Sequence, residues 1–211
     1  MRRLPVYLLL DTSASMTGEP IEAVKKGIQF MIDSLKQDPQ AIETAFVSII
    51  TFDSSVKQLM PLTDVISFQI PEITAKGTTA LGEALDLVSY YIDTEVEKTT
   101  PLSKGDWKPL VFIMTDGVPT DDIQQGITEI KKRNIGQIVA CAAGSRANTE
   151  LLKQITKNVI RLETADAKSI SNFFAWVTAS IGIASTKIEE KGEDTSNFND
   201  FPPPADLDII L

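Results

Sequence analysis

The chain has 211 residues, of which 43% are hydrophobic, which suits one ordinary domain with a sizeable core and a short appendage. Its 20 basic and 29 acidic residues give a formal net charge of −9, which opposes binding to nucleic-acid phosphates and to anionic lipid. Histidine is absent and Cys141 is the single cysteine, so the chain can form neither an internal disulfide nor a histidine or thiolate metal site. We therefore expect no nucleic-acid partner and no membrane partner.

The amino terminus imitates a signal peptide, because two arginines precede an apolar run. Pro5 interrupts that run and Asp11 ends it, which leaves too short an apolar region for a signal peptide. The most apolar later stretch, 170–185, contains polar residues and is too short to cross a bilayer comfortably. The sequence therefore predicts a cytoplasmic protein.

Short apolar runs alternate with longer segments of helical period, a pattern typical of strands covered by helices on both faces. The run at 5–10 predicts a first strand, and the three- and four-residue spacing of apolar residues over 21–35 predicts an amphipathic helix. The runs at 45–52 and 56–62 are too close together for a helical crossover. They predict a hairpin whose second strand is antiparallel and lies at a sheet edge.

The second half of the chain continues this alternation. The apolar spacing over 81–92 predicts a helix, and the run at 109–115 predicts a fully buried strand. The elements that follow are a short helix at 123–130, a strand at 136–143, a helix at 148–156, a strand at 159–163 and a long helix around 170–181. The whole pattern predicts a three-layer α/β/α fold with a doubly wound, mostly parallel six-stranded sheet and one antiparallel edge strand.

The composition changes at Lys187. From there to the last residue the chain has seven acids, two lysines and three consecutive prolines, which is typical of a solvated, flexible segment. We therefore predict a globular domain over 1–186 and an acidic flexible tail over 187–211. The tail ends in acids mixed with apolar residues, as a docking peptide does, and one hypothesis brings Asp206 or Asp208 to a metal site.

Three clusters of oxygen-bearing side chains lie at strand ends or in nearby loops: "DTSAS" after the first strand, "GTT" before the helix at 81–92, and "TDG" after the strand at 109–115. In an open α/β sheet, ligands bind beyond the carboxyl ends of the strands, where successive connections diverge. Carboxylates and hydroxyls are the hard donors that suit Mg²⁺, or equally Mn²⁺ or Ca²⁺. The sequence therefore predicts a divalent-cation site whose ligands are Asp11, Ser13, Ser15, Thr79 and Asp116.

Simpler interpretations exist for single residues of this set and for their neighbours. Each of the three hydroxyls, taken alone, is better explained as a helix cap. Asp53, Asp121 and Asp122 also lie near strand ends and are interpreted as solvated or capping acids. Trp107 and Trp176 are interpreted as packing groups. The metal interpretation depends on the five residues acting together.

The combined pattern resembles the von Willebrand factor A (VWA) domain. The segment "DTSAS" supplies the D-x-S-x-S motif of its metal-ion-dependent adhesion site (MIDAS), and "GTTALGEAL" and "MTDG" supply its threonine and second aspartate. The competing threonine is Thr78, and we assign Thr79 because it directly precedes "ALGEAL". The match covers roughly 4–184. The resemblance implies a Rossmann-like fold, a bound divalent cation, and capture of a partner's Asp or Glu carboxylate by that cation.

Within this family the chain resembles the small bacterial stand-alone proteins of the tellurium-resistance Y type. The features in common are the short histidine-free core and the opening "VYLLLDTSASMTGEPIEAV". This resemblance implies a cytoplasmic role in a tellurite or stress response, beside kinase and phosphatase partners. The resemblance to the VWA family also implies that the last helix can shift when a ligand arrives, and here that helix contains Phe173, Phe174 and Trp176.

An alternative function is that of a Mg²⁺-dependent phosphotransferase or hydrolase of the haloacid-dehalogenase type, in which Asp11 attacks phosphorus. Those enzymes carry D-x-D at this point, whereas residue 13 is serine here. Lys131 and Lys132 look like the exposed end of a helix and not like a catalytic lysine. No glycine-rich nucleotide motif follows a strand. We therefore predict a binding module and not an enzyme.

Overall fold

A computed structural model describes residues 2–191 and 208–210. A seven-stranded sheet with the order β3-β2-β1-β4-β5-β6-β7 forms its centre. The strands are β1 (Leu4–Asp11), β2 (Ala45–Phe52), β3 (Val56–Asp64), β4 (Leu110–Thr115), β5 (Gln137–Ala143), β6 (Val159–Leu162) and β7 (Asp208–Ile210). The helices are α1 (Glu19–Leu35), α2 (Pro39–Thr44), α3 (Leu81–Glu95), α4 (Gln124–Lys131), α5 (Thr149–Ile155) and α6 (Ala167–Lys191), and a short 3₁₀ helix spans Ala14–Met16.

Two hydrophobic layers cover the sheet. All eight residues of β1 and all six of β4 are buried, as expected for central strands with helices on both faces. Alternate β1 residues point to opposite sides: Leu8 and Leu10 join the core under α1 and α6, and Tyr7 and Leu9 join the core under α3, α4 and α5. The predicted three-layer α/β/α fold is confirmed.

The six predicted strands are all present, and five of them are parallel to one another. β3 is antiparallel to β2 and forms one edge of the sheet, as the short connection between them requires. The two residues interpreted as packing groups are buried: Trp107 is 7% exposed and Trp176 is 6% exposed. Cys141 is fully buried. Burial also raises the pKa of the Cys141 thiol.

The last helix, α6, is packed against the domain. Ile170, Phe173, Val177 and Ile181 on its inner side are buried in the core that it shares with α1. Over 2–191 and 208–210, none of the helices combines the length and the hydropathy that a bilayer crossing demands.

The carboxy-terminal region differs from the sequence prediction in two respects. α6 continues through Lys187 to Lys191, so the predicted domain boundary falls inside a helix. A charge-rich composition is compatible with a helix end as well as with a linker, and composition alone does not separate them. Two parts of the predicted flexible tail lie outside the described residues: 192–207, which includes Asp206, and Leu211.

Residues 208–210 form a seventh strand that the sequence analysis did not predict. β7 pairs antiparallel with β6 and gives the sheet a second antiparallel edge, with Asp208 opposite Arg161 and Ile210 opposite Val159. Such pairing uses backbone groups of the β6 edge, which carry no signature in the amino-acid composition. The register therefore places Asp208 at the sheet edge beside β6.

We expect removal of β7 to destabilise the domain modestly. A chain that ends at Leu207 loses three register pairs and leaves the β6 edge open. Two or three ladder hydrogen bonds are worth about 1–3 kcal/mol, which corresponds to a fall of roughly 2–12 °C in Tm for a domain of this size. An open edge also promotes self-association. Thermal unfolding and analytical ultracentrifugation measure both effects, and a second truncation after Lys191 separates β7 from the segment before it. An unchanged Tm in the chain ending at Leu207 would mean that β7 contributes nothing.

Candidate metal centre

The candidate site lies where the carboxyl ends of β1 and β4 meet. These two strands are parallel neighbours, and Leu10 pairs with Met114 in the ladder, so Asp11 and Thr115 end the strands at the same level. The connection after β1 contains α1, which covers one face of the sheet, whereas the connection before β4 contains α3, which covers the other face. The site therefore occupies the crevice at which ligands bind in doubly wound sheets.

Backbone hydrogen bonds join the three loops that form this crevice. Ala14 N donates to Gly77 O at 3.0 Å, and Thr120 N donates to Thr79 O at 2.9 Å. Gly77 has a φ of 72°, and a Cβ at this position would collide with the Ser54 side chain, so glycine is required here. The loop after β1 and the loop after β4 are thus both fixed to the segment that contains Thr79.

Four of the five predicted ligands form one chain of hydrogen bonds. Ser13 N donates to Asp11 Oδ1 at 2.8 Å, and the Ser13 and Ser15 hydroxyls lie 2.9 Å apart. Ser15 Oγ donates to Asp116 Oδ1 at 2.6 Å. Thr115 Oγ1 donates to Asp11 Oδ2 at 2.5 Å, which links the end of β4 to the end of β1. Residues more than 100 positions apart in sequence therefore share one oxygen-lined pocket.

The fifth predicted ligand, Thr79, faces the same pocket. A Cβ placed on Gly117 would lie 3.5 Å from Thr79 Oγ1 and 4.0 Å from Ser15 Oγ, so both hydroxyls border the position just after Asp116. Thr78 is oriented differently, because its hydroxyl lies 3.1 Å from Ser54 Oγ at the exposed surface. This geometry favours Thr79 over Thr78.

The site contains two buried carboxylates. Asp11 is 0% exposed and Asp116 is 2% exposed. Burial raises the pKa of the Asp11 carboxyl above its ordinary value; hydrogen bonds from Ser13 and Thr115 oppose the rise, and the nearby Asp116 carboxylate adds to it. A cation between the two carboxylates would offset both the burial and the repulsion, so the donors fit a divalent ion.

Helix capping does not account for the hydroxyls. Ser13 precedes the short 3₁₀ helix but makes no side-chain capping hydrogen bond. Ala80, and not Thr79, occupies the N-cap position of α3, and this N-cap residue makes no side-chain hydrogen bond to the helix. The hydroxyls of the candidate site are therefore available for another role.

The neighbouring acids, in contrast, do act as caps or turn residues. Asp121 Oδ2 and Asp122 Oδ1 each accept a backbone N–H, at the starts of α3 and α4 respectively, at 2.9 Å. Asp53 Oδ1 accepts hydrogen bonds from Ser55 N at 2.8 Å and from Ser55 Oγ at 3.1 Å. Asp121 and Asp122 are therefore capping acids, and Asp53 is a turn residue.

Two residues of the site escaped the sequence analysis. Thr115 belongs to the quoted "MTDG" segment, and its contact with Asp11 follows once β1 and β4 are known to be neighbours. Arg146, in the loop between β5 and α5, donates from Nη2 to Asp116 Oδ2 at 3.0 Å. A single arginine in a loop has no sequence signal that would assign it to this site.

Comparisons with known proteins agree with this architecture. A family model described as the von Willebrand factor type A domain matches residues 6–175. An uncharacterized protein of Synechocystis sp. is 32% identical over 123 residues, which cover 55% of this chain and 26% of that protein. The chain thus spans about a quarter of the length of this curated relative.

Solved structures share the fold at low sequence identity. A von Willebrand factor type A protein from Catenulispora acidiphila has a TM-score of 0.64 and 17% identity, with 86% of this chain and 43% of that chain covered. Proximal thread matrix protein 1 from the mussel byssus, in a structure with a zinc-occupied MIDAS motif, has a TM-score of 0.61 and 18% identity, with 86% and 46% covered. The family match, with which the site geometry agrees, shows that this chain belongs to the von Willebrand factor type A domain family.

Proposed function

We propose that this protein is a metal-dependent protein-binding module. Asp11, Ser13, Ser15, Thr79 and Asp116 hold a divalent cation, and a carboxylate from an Asp or Glu of a partner protein binds to that cation. The convergence of these five oxygen-bearing side chains at the β1 and β4 ends is the observation that carries the proposal. The bound ion supplies a Lewis-acidic positive charge with an open coordination position.

The donor set supports an ion that prefers oxygen. Among the described residues no group of three or more Asp, Glu, Cys or His side chains is placed to hold a metal. The site therefore depends on hydroxyls in addition to its two carboxylates. Neutral hydroxyls donate less charge than carboxylates do, which leaves an anion from outside strongly attracted.

The identity of the ion is part of the proposal. Hard oxygen donors suit Mg²⁺, Mn²⁺ or Ca²⁺, whereas Zn²⁺ prefers nitrogen and sulfur. The zinc-occupied MIDAS motif of the mussel protein nevertheless makes Zn²⁺ an ion worth testing here. We propose Mg²⁺ as the resident ion.

The biological setting is also a proposal. The resemblance to tellurium-resistance proteins of the Y type suggests a cytoplasmic role in a tellurite or stress response, with kinase or phosphatase partners. The curated relative from Synechocystis is itself uncharacterized, so the support for this setting is the sequence resemblance alone.

We further propose that the module is not an enzyme. Residue 13, which is the second acid in haloacid-dehalogenase-like enzymes, is a serine whose hydroxyl lies 2.9 Å from Ser15 Oγ. Lys131 ends α4, and Lys132 pairs with Glu129 at 2.6 Å on that helix. We expect no hydrolysis of p-nitrophenyl phosphate with Mg²⁺; turnover that disappears in Asp11→Asn would favour the enzymatic alternative.

Thermal unfolding in the presence of Mg²⁺, Mn²⁺, Ca²⁺ and Zn²⁺ tests metal binding. At an ion concentration of 100 Kd the native state gains about 2.7 kcal/mol, which raises Tm by roughly 5–10 °C for a domain of this size. Two adjacent threonines provide a matched pair of variants. We expect Thr79→Val to reduce the metal-induced shift strongly and Thr78→Val to retain it, because only Thr79 faces the site. The proposal is wrong if no ion shifts Tm of the unmodified protein.

A further inference from the structure

Arg146 is a cationic residue at the mouth of the candidate metal site. Its guanidinium Nη2 lies 3.0 Å from Asp116 Oδ2, while Ser15 Oγ holds the other oxygen of the same carboxylate at 2.6 Å. The Asp116 side chain is 3% exposed and the Arg146 side chain is 68% exposed. One end of this ion pair is therefore buried in the site, and the other end faces solvent.

The backbone on both sides of Arg146 is fixed. Gly144 N donates to Leu162 O at 2.9 Å, which ties the start of the loop to β6. Asn148 Oδ1 accepts from Leu151 N at 3.1 Å and so caps α5 at the end of the loop. Arg146 lies midway between these anchors, so the loop presents its side chain at the mouth of the site.

The charge of the site determines what this arginine can do. Asp11 and Asp116 together balance one divalent cation, so without Arg146 the loaded site would be neutral. Arg146 adds one positive charge. A guanidinium has five N–H donors in a planar fork, so it can bind a second carboxylate while it remains beside Asp116.

We propose that Arg146 is a specificity-determining residue that binds the carboxylate of the partner beside the metal. This inference rests on the proposed function of the same site. The same positive charge repels the cation and competes for Asp116, so Arg146 weakens metal binding while it strengthens binding of the acidic ligand. These opposite effects distinguish a ligand-binding arginine from one that only stabilises the loop.

The test compares Arg146→Gln with the unmodified protein by calorimetric titration of Mg²⁺ and by NMR titration of acetate into the Mg²⁺-loaded protein. Removing a like charge near the ion is expected to tighten Mg²⁺ binding by about 3- to 10-fold. Removing the guanidinium is expected to weaken acetate binding by about 3- to 10-fold. Arg146→Lys keeps the positive charge but not the planar fork. We therefore expect its Mg²⁺ affinity to equal that of the unmodified protein, and its acetate affinity to lie between those of the unmodified protein and Arg146→Gln.

Lys157→Gln is the matched control, because it removes one positive charge from an exposed residue at the opposite end of the sheet, just before β6. We expect it to change neither affinity. If Arg146→Gln binds Mg²⁺ and keeps the acetate affinity of the unmodified protein, the role of Arg146 is overturned and the proposed function stays intact. Failure of the unmodified protein to bind Mg²⁺ would overturn both.

Discussion

The Asp11→Asn variant is expected to lose metal-dependent stabilisation almost completely. Asparagine keeps the size of the side chain but removes one of the two carboxylates that face the ion. Substitutions that only disturb the orientation of a ligand weaken metal binding by about 10- to 100-fold, so loss of a charged ligand is expected to cost at least about 100-fold. At an ion concentration of 100 Kd for the unmodified protein, the gain of about 2.7 kcal/mol falls to about 0.4 kcal/mol.

The fold of this variant is expected to persist without metal. Burial already disfavours the charged form of Asp11, which is why its carboxyl pKa is raised. Thermal unfolding with and without Mg²⁺ gives the measurement. Asp53→Asn is the control, because it removes one negative charge at the carboxyl end of the neighbouring strand, where the carboxylate bonds to Ser55. An equal metal response in Asp11→Asn and in the unmodified protein would refute the assignment of Asp11 as a ligand.

The Gly27→Val variant is expected to destabilise the fold strongly. Gly27 lies on α1 where this helix packs against α6, and a Cβ at this position would lie 2.6 Å from Cγ of Phe174. The Phe174 ring is 0% exposed and contacts Phe173 edge to face, so it has little room to move. Overpacking of this kind is expected to cost about 3 kcal/mol, or roughly 6–12 °C in Tm. Urea unfolding measures the loss.

A second substitution on each helix completes this experiment. Lys26→Ala changes the exposed neighbour of Gly27 and is expected to alter stability by less than about 0.5 kcal/mol. Phe174→Ala alone leaves a cavity and is expected to cost about 3–5 kcal/mol. The double variant with Gly27→Val is expected to be less destabilised than the sum of the two, because the valine fills part of that cavity. Additive losses would mean that Gly27 and Phe174 do not share one contact.

The central fold was predictable because its physical causes are local in the sequence. β1 and β4 are continuous apolar runs since both of their faces are buried, and α1 and α3 show apolar spacing since one face of each is buried. The position of β3 followed from a three-residue connection that only a hairpin can use. The continuation of α6 through Lys187 to Lys191 was not predicted, because charge-rich sequence occurs both in linkers and at helix ends.

By itself, the sequence determined the fold class and a set of five oxygen-bearing residues at strand ends. Only the tertiary structure decided that Thr115 binds Asp11, that Arg146 pairs with Asp116, and that 208–210 adds to the β6 edge. The physical reason is the distance along the sequence over which each interaction acts. Burial and helical periodicity act on neighbouring residues and are visible in sequence, whereas contacts between separate loops depend on strand order and on backbone hydrogen bonds that any side chain permits.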